Sequence, residues 1–500
     1  MIGRQDRWQE DLFVACPLRD LIPNDHILKR VDKVLDLSWL RDEVRDCYCQ
    51  DNGRPGIDPE AAVRLMLAGL FEGIVHDRKL MRQAQVNIAI RWFAGYRLQE
   101  NLPDHSSLTR IRQRWGADQF KRIFLRVVAA CVEGGLVGGQ TVHIDATLMR
   151  ADVSWQSLTE RHVEAVLREN PEPDNPDDPD APPPKPVRVR PRTKAPKPKK
   201  YSPTDPDATM ATSCKQYHLE PCYKQHTAVD DEAGVIVDVE VTTGEASEGE
   251  RLPEQIKRVE ANTGRKVKTV TGDAAYAHSN NYMVAENMEI DAVIPPQGEN
   301  SKPRRIPARR FKYDGKHKVV RCPGGKVLRR SSYHSKRWLY RARGADCRVC
   351  PLRQRCLPPS GKARTIVIAH GYEALLRARR RRLRWGEREY ALYRRHRWRV
   401  EGPHGEAKTQ HGLGRAVRRG LWNVAIQAYL TAAVMNLKRL ANAKATPRAV
   451  AVGLKAVAER LLAILRRWQA PENPRQWILQ PAVPHWRTDW AKPVDYAAAA

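Results

Sequence analysis

Residues 169–186 are acidic and rich in proline, and 187–200 are mostly Pro, Lys and Arg. A stretch of this kind buries too little apolar surface to offset the conformational entropy lost on folding. Residues 168–207 therefore read as a disordered linker or tether, and they interrupt everything around them. Before the gap stands Thr141-Val142-His143-Ile144-Asp145, a β-branched run ending in a carboxylate. After it come His226–Val229 and Val235–Val241 as strands joined by the turn Asp231-Glu232-Ala233-Gly234. A helix over 250–261, the strand Val267–Asp273, a helix over 280–288 and the strand Ala292-Val293-Ile294 follow. Strand, hairpin, helix, strand, helix, strand is an α/β order, and it has to close across the linker.

Helices flank this α/β region. From about 20 to 137 the pattern is helical: an apolar stripe over Ala61–Phe71 behind Pro59, a helix over 78–93, a third after Asp104, and a fourth over 119–133 stopped by Gly134-Gly135. From 372 to 442 the chain is again helical, and strongly basic. The whole sequence holds 87 Lys and Arg against 58 Asp and Glu, a formal net charge of +29. That excess favours a polyanion, with DNA, RNA and anionic membrane all open on charge alone. No run of about 18 apolar residues is present, so a membrane span is not expected. The first residues lack the apolar stretch of a signal peptide, which points to the cytoplasm. Its ten cysteines are then expected as reduced thiols or metal ligands.

Asp145 and Asp273 each close an expected strand. Carboxylates at strand ends of an open α/β sheet suit a hard divalent cation, and a third carboxylate from a helix completes a two-metal site for phosphodiester chemistry. The bland reading stays open, because an Asp after a strand is often only a turn or cap residue.

The third element is Arg397-Trp398-Arg399-Val400-Glu401, followed after six residues by Lys408. It resembles the Tyr-Arg-Glu-Lys signature of DDE transposases from bacterial insertion sequences. His143-Ile144-Asp145-Ala146-Thr147 and Gly272-Asp273-Ala274-Ala275-Tyr276 resemble that family's two catalytic aspartate strands. Tyr223–Asp230 is similar to the strand between them, and Arg419–Val424 with Asn436–Leu440 to the closing helix. Phe71–Ile74, Ile90–Gly95 and Pro103–Leu108 resemble the helical domain that precedes the catalytic one. The resemblance implies an RNase H-like α/β core with a mostly α N-terminal domain. It implies Asp145, Asp273 and Glu401 holding two Mg2+ (or Mn2+) ions, and hydrolysis at element ends followed by strand transfer. It further implies double-stranded DNA as partner, in a homodimer or higher assembly. Arg394, Arg397 and Lys408 would contact phosphate, as would Arg110 and Arg114 of the N-terminal helices, where a helix-turn-helix would lie within 78–115. A solvated helix face is the alternative for these basic residues. In one respect the match departs: Tyr393 precedes Arg397 by four residues where the family has three, so Arg394 and Arg397 compete for one role. Glu406 is the rival third carboxylate.

Two further groups stand out. Cys347-x2-Cys350, with Cys356 and Cys322 nearby, has the spacing of a four-thiolate zinc site, with free thiols as the other reading. The run Arg377–Trp385 is basic enough to suggest phosphate contact. The expected divisions are a helical DNA-binding domain over 1–137, the first core strand over 138–167, the linker over 168–207 and the core over 208–296. A small β, cysteine-rich insert over 297–365, C-terminal core helices over 366–445 and a tail over 446–500 complete them. Competing functions are a nuclease that only hydrolyses and a DNA-binding protein without catalysis.

Overall fold

The computed structural model describes residues 16–49, 56–154, 159–160, 200–211, 219–297, 305–334 and 337–443. Most of the expected linker, residues 161–199, and the expected tail over 446–500 lie outside them.

The N-terminal region is helical. Helix α1, Pro59–Phe71, starts on Asp58, whose carboxylate accepts the Glu60 N–H at 2.8 Å, and on Pro59, whose fixed φ suits a first helical position. The single helix expected over 78–93 is two: α2, Asp77–Val86, and α3, Ile88–Phe93. Asn87 divides them, because its side chain accepts from Ile90 N at 3.1 Å and so starts a new helix rather than continuing the old one. Helix α4, His105–Glu133, is capped by Asp104 and kinks at Gly116, where φ is 69°. The third and fourth expected helices are thus its two halves, on either side of a backbone conformation that favours glycine.

The central sheet is built from β1 (Thr141–Arg150), β2 (Thr209–Ala211), β3 (Glu220–Asp230), β4 (Ile236–Thr243), β5 (Thr269–Thr271) and β6 (Asp291–Val293). Strands β2 and β4 lie along one edge of β3; on its other edge β3 pairs antiparallel with β1. Beyond β1 come β5 and β6, both parallel. Helices α5, Leu252–Thr263, and α6, Ser279–Asn287, make the crossovers. Asp145 does not end its strand as expected: β1 continues to Arg150, because β3 offers partners as far as Cys222. Only the parallel pairing to β5 stops, at His143 opposite Thr271.

Residues 200–207, expected in the linker, are ordered. Lys200–Tyr201 pairs with Thr159–Glu160, and Asp205 is buried with its carboxylate bonded to the Tyr223 hydroxyl and to Gly420 N. A buried carboxylate with partners anchors a segment whose composition suggests none.

A second sheet is an antiparallel meander of β7 (Lys312–Asp314), β8 (Val319–Arg321), β9 (Val327–His334), β10 (Arg337–Arg341) and β11 (Thr365–Ala369). It has its own small core, chiefly Phe311, Val320, Leu328, Tyr340 and Ile366. Helices α7 (Tyr372–Arg382), α8 (Glu387–Gln410) and α9 (Leu421–Ala443) follow. Helix α9 is apolar nearly all round and correspondingly buried between α4 and β4. Tyr429 stacks on Phe124 of α4 at 6.2 Å, and Asn436 bonds both backbone groups of Ile236 at 2.8 and 2.9 Å. One continuous apolar core therefore joins the N-terminal helices, the central sheet and α9. Among the described residues no helix is long and apolar enough to cross a membrane.

Candidate active site

Parallel pairing fixes the geometry of the two aspartates. His143 lies opposite Thr271, so Asp145 and Asp273 each stand two residues beyond the last parallel pair, Asp145 still within β1 and Asp273 just past its strand. Asp145 is largely buried. Its carboxyl is pushed up to about 7 by that burial, with Asp273, Glu248 and Glu401 adding repulsion against the Ala146 backbone hydrogen bond. Asp145 therefore feels the charge of three other carboxylates. Asp273 also serves as the cap of the short turn after β5, accepting Ala275 N at 2.8 Å through one oxygen. The bland reading and the functional one are both accommodated by its two oxygens.

Helix α8 lies across this end of β1. Glu401 is exposed and accepts Arg397 Nε at 2.9 Å, one turn away. His404, one turn on, turns inward with Nδ1 3.7 Å from Asp145 Oδ2. Lys408 is exposed and interacts with Asp145; partial desolvation lowers its ammonium from the ordinary lysine value, and Asp145 opposes that shift. Arg394 points elsewhere, to Glu387 at 2.8 Å. Of the two arginines competing for one role, Arg397 is the one at the carboxylates. Glu406 belongs to a different cluster. It bonds Lys438 Nζ at 2.6 Å and stands near His411 and Arg439, and its carboxyl is held down to about 2, first by His411 and then by Lys438. It ties α8 to α9 and does not face Asp145.

Several residues here escaped the sequence reading. Glu248 follows β4 and pairs with Lys224 at 3.1 Å; no metal-ligand spacing marks it. Tyr276 is fully buried beside Asp145, Glu248 and Asp273, and its hydroxyl has no partner. His404 was legible in principle, because three residues after Glu401 is one face of a helix. Beneath the carboxylates runs a buried chain of polar groups. Thr271 Oγ1 bonds His143 Nδ1 at 2.6 Å and His396 Nδ1 at 2.9 Å, and His143 Nε2 meets Asp231 Oδ1 at 2.9 Å. Burial lowers both imidazoles below their ordinary range, His396 to about 3. His143 and Thr271 each stand two residues before an aspartate, on the same strand face.

Arg110 and Arg114 are exposed on α4, far along the chain from this cluster, and Arg114 lies over the Tyr48 ring at 4.7 Å. The basic run of α7 is partly used internally: Arg377 pairs with Glu286, Arg381 with Asp291, and Arg382 lies over Trp385. Less of it is free for phosphate than its sequence suggests. As placed, no three His, Cys, Asp or Glu side chains among the described residues are gathered tightly enough to hold an ion. Two buried polar atoms beside Asp145, the Tyr276 hydroxyl and His404 Nε2, have no hydrogen-bond partner among the described residues, which leaves polar groups there that a hydrated ion would satisfy.

Two family descriptions match the chain: Transposase domain (DUF772) over residues 17–114, and Transposase DDE domain over residues 321–441. The chain carries two transposase domains, one of them a DDE domain. The resemblance read from the motifs is thereby borne out. The DDE match includes Glu401 and Lys408 and stops short of both aspartates. No curated protein matches the chain. Among solved structures, a piggyBac transposase synaptic complex with hairpin DNA is similar at a TM-score of 0.31 and 11% identity, over 92% of this chain and 86% of that one. So low a score carries no structural argument.

Proposed function

We propose that this transposase-family protein binds the ends of an insertion sequence and catalyses metal-dependent DNA cleavage and strand transfer, in the cytoplasm and as a dimer or larger assembly on DNA. The observation that carries the reading is the parallel register of His143 with Thr271, which sets Asp145 and Asp273 two residues beyond neighbouring strand positions, with α8 and its Glu401 packed against β1. The sheet supports an RNase H-like core: an antiparallel hairpin sits on one side of β1 and two parallel strands on the other.

Asp145, Asp273 and Glu401 would hold two magnesium ions, which supply charge neutralisation and Lewis acidity to the phosphodiester. Burial of Asp145 supplies the low dielectric in which such interactions are strong. Arg397 orients the Glu401 carboxylate, and Lys408 is placed to meet a non-bridging phosphate oxygen. Exposed Trp398 and Arg394 extend the same helix surface toward a nucleic acid. In the first step water forms a bond to phosphorus and the 3′ oxygen leaves, taking a proton. In the second that 3′ hydroxyl attacks a target phosphodiester, whose own 3′ oxygen leaves.

The test is a strand-transfer assay with paired element ends and Mg2+. Joined product from the wild type, and its loss in Asp145→Asn, Asp273→Asn and Glu401→Gln, is the expected result. Cleavage without joining would replace the reading with a hydrolytic nuclease, and unimpaired cleavage in either aspartate variant would end it.

A further inference from the structure

The small second sheet carries a group of thiols that the transposition chemistry does not use. Cys322 leaves β8 into the turn Cys322-Pro323-Gly324-Gly325-Lys326. This turn is closed three ways: Cys322 N–H donates to Lys326 O at 2.8 Å, Gly325 N–H to Cys322 O at 2.9 Å, and Lys326 N–H to Cys322 Sγ at 3.2 Å. The last bond aims a backbone donor at the sulfur, the arrangement a metal-bound thiolate would accept. Gly325 takes φ 76°, the left-handed conformation the turn needs. A side chain at Gly324 would strike two sulfurs, since a Cβ there would lie 3.5 Å from Cys350 Sγ and 3.7 Å from Cys322 Sγ. Cys347 and Cys350 sit in a second tight turn, on and just after the short helix Gly344–Arg348, and Cys356 ends another, Arg353–Cys356. Cys356 feels the charges of Cys347, Cys350 and Cys322 together. All four sulfurs are free thiols, each half-buried.

We propose that Cys322, Cys347, Cys350 and Cys356 bind one structural Zn2+ as a four-thiolate site that staples the loops to the second sheet. Four sulfurs from two tight turns and a neighbouring helix end supply the ligand number and type that tetrahedral zinc takes, and the x2 spacing of Cys347 and Cys350 is its usual reach. As placed, the four sulfurs are not gathered tightly enough to hold an ion, so zinc binding has to draw the loops that carry them inward. Need is evident too. The buried apolar core of this sheet is chiefly a handful of residues, too few to hold the long segment from Ala342 to Arg364 unaided. Arg353 and Arg364 already tie its carbonyls at Cys347, Gly361 and Cys356, and leave the sulfurs unbridged. Zinc binding releases the thiol protons to solvent and needs no oxidant.

Full-length, tag-free protein purified with its thiols protected and passed through desalting tests this. About one zinc per chain is expected, falling to near zero in Cys347→Ser and Cys350→Ser and staying in Asp145→Asn. Cobalt exchange should give thiolate-to-metal charge-transfer and tetrahedral bands in the wild type, a readout that a merely misfolded serine variant cannot mimic. Four of the thiols should react with a disulfide reagent only after a chelator is added. Wild-type protein without bound zinc, or zinc lost from Asp145→Asn and kept by Cys350→Ser, overturns the assignment. Neither result bears on the carboxylate site, whose test is strand transfer.

Discussion

At the scale of residues, Asp145 carries a cost of burial that its proposed role would explain. Its carboxyl titrates near 7 in the fold against 3.8 in an unfolded chain. A raised carboxyl stabilises the fold fully below its unfolded value, and that contribution is lost as pH rises from about 4 through about 7. Metal-free protein is therefore expected to melt lower at pH 8 than at pH 5 from this group. Asp145→Asn should raise the metal-free stability at pH 8 by about 2 kcal/mol, while cutting strand transfer by more than about a thousandfold. Mg2+ should stabilise the wild type and not the variant in the same melting experiment; equal stabilisation of both would place the ions elsewhere. Glu401 and Glu406 separate in the opposite sense. Glu401→Gln should abolish cleavage at unchanged stability, because Glu401 is exposed. Glu406→Gln should cost about 2 kcal/mol, because Lys438 and Arg439 lose a half-buried partner, and should leave the cleavage step intact. The spacing to Lys408 ranked Glu401 above Glu406, yet nothing in the sequence showed that Glu406 would be an ion-pair partner of α9. Glu248 was illegible for a related reason: its place beside Asp145 comes from where β4 ends, not from any spacing.

Among the elements, α8 has to be held in register with β1 and β5 for its carboxylate to meet theirs. The buried contact that does this is Thr271, bridging His143 of β1 to His396 of α8. Thr271→Val keeps the shape and removes both bonds. It should weaken Mg2+-dependent activity by about tenfold or more, through a higher metal requirement, and Thr271→Ser should restore it. An unchanged metal titration in the valine variant would show that packing alone sets the register. Helices and strands were largely legible, because their apolar periods and caps are local. The break at Asn87 and the extension of β1 to Arg150 were not: the first depends on a single side chain choosing a cap, the second on a partner strand some eighty residues away. Of the polar chain, only the two-residue offsets from each aspartate are visible in sequence, and they gain meaning once parallel pairing is known.

For the whole molecule, the charge of +29 should govern encounter with the DNA proposed as its partner. Binding measured by anisotropy should fall by about a thousandfold between roughly 50 and 200 mM salt if several phosphates are neutralised; salt-insensitive binding would contradict the assignment of DNA as partner. Composition showed that excess, and only the structure shows that part of the α7 run is spent on Glu286 and Asp291.

The sequence also suggested a helical domain that could stand apart, whereas α9 makes its core common property with the sheet. Helix α4 rests on residues that the ribosome delivers some three hundred positions later, with Phe124 waiting for Tyr429. On the proposed function, a gene copy with an early stop codon would yield no folded end-binding fragment to compete with intact enzyme, so damaged copies would be silent rather than dominant; expression of residues 1–137 alone should give insoluble or protease-sensitive chain.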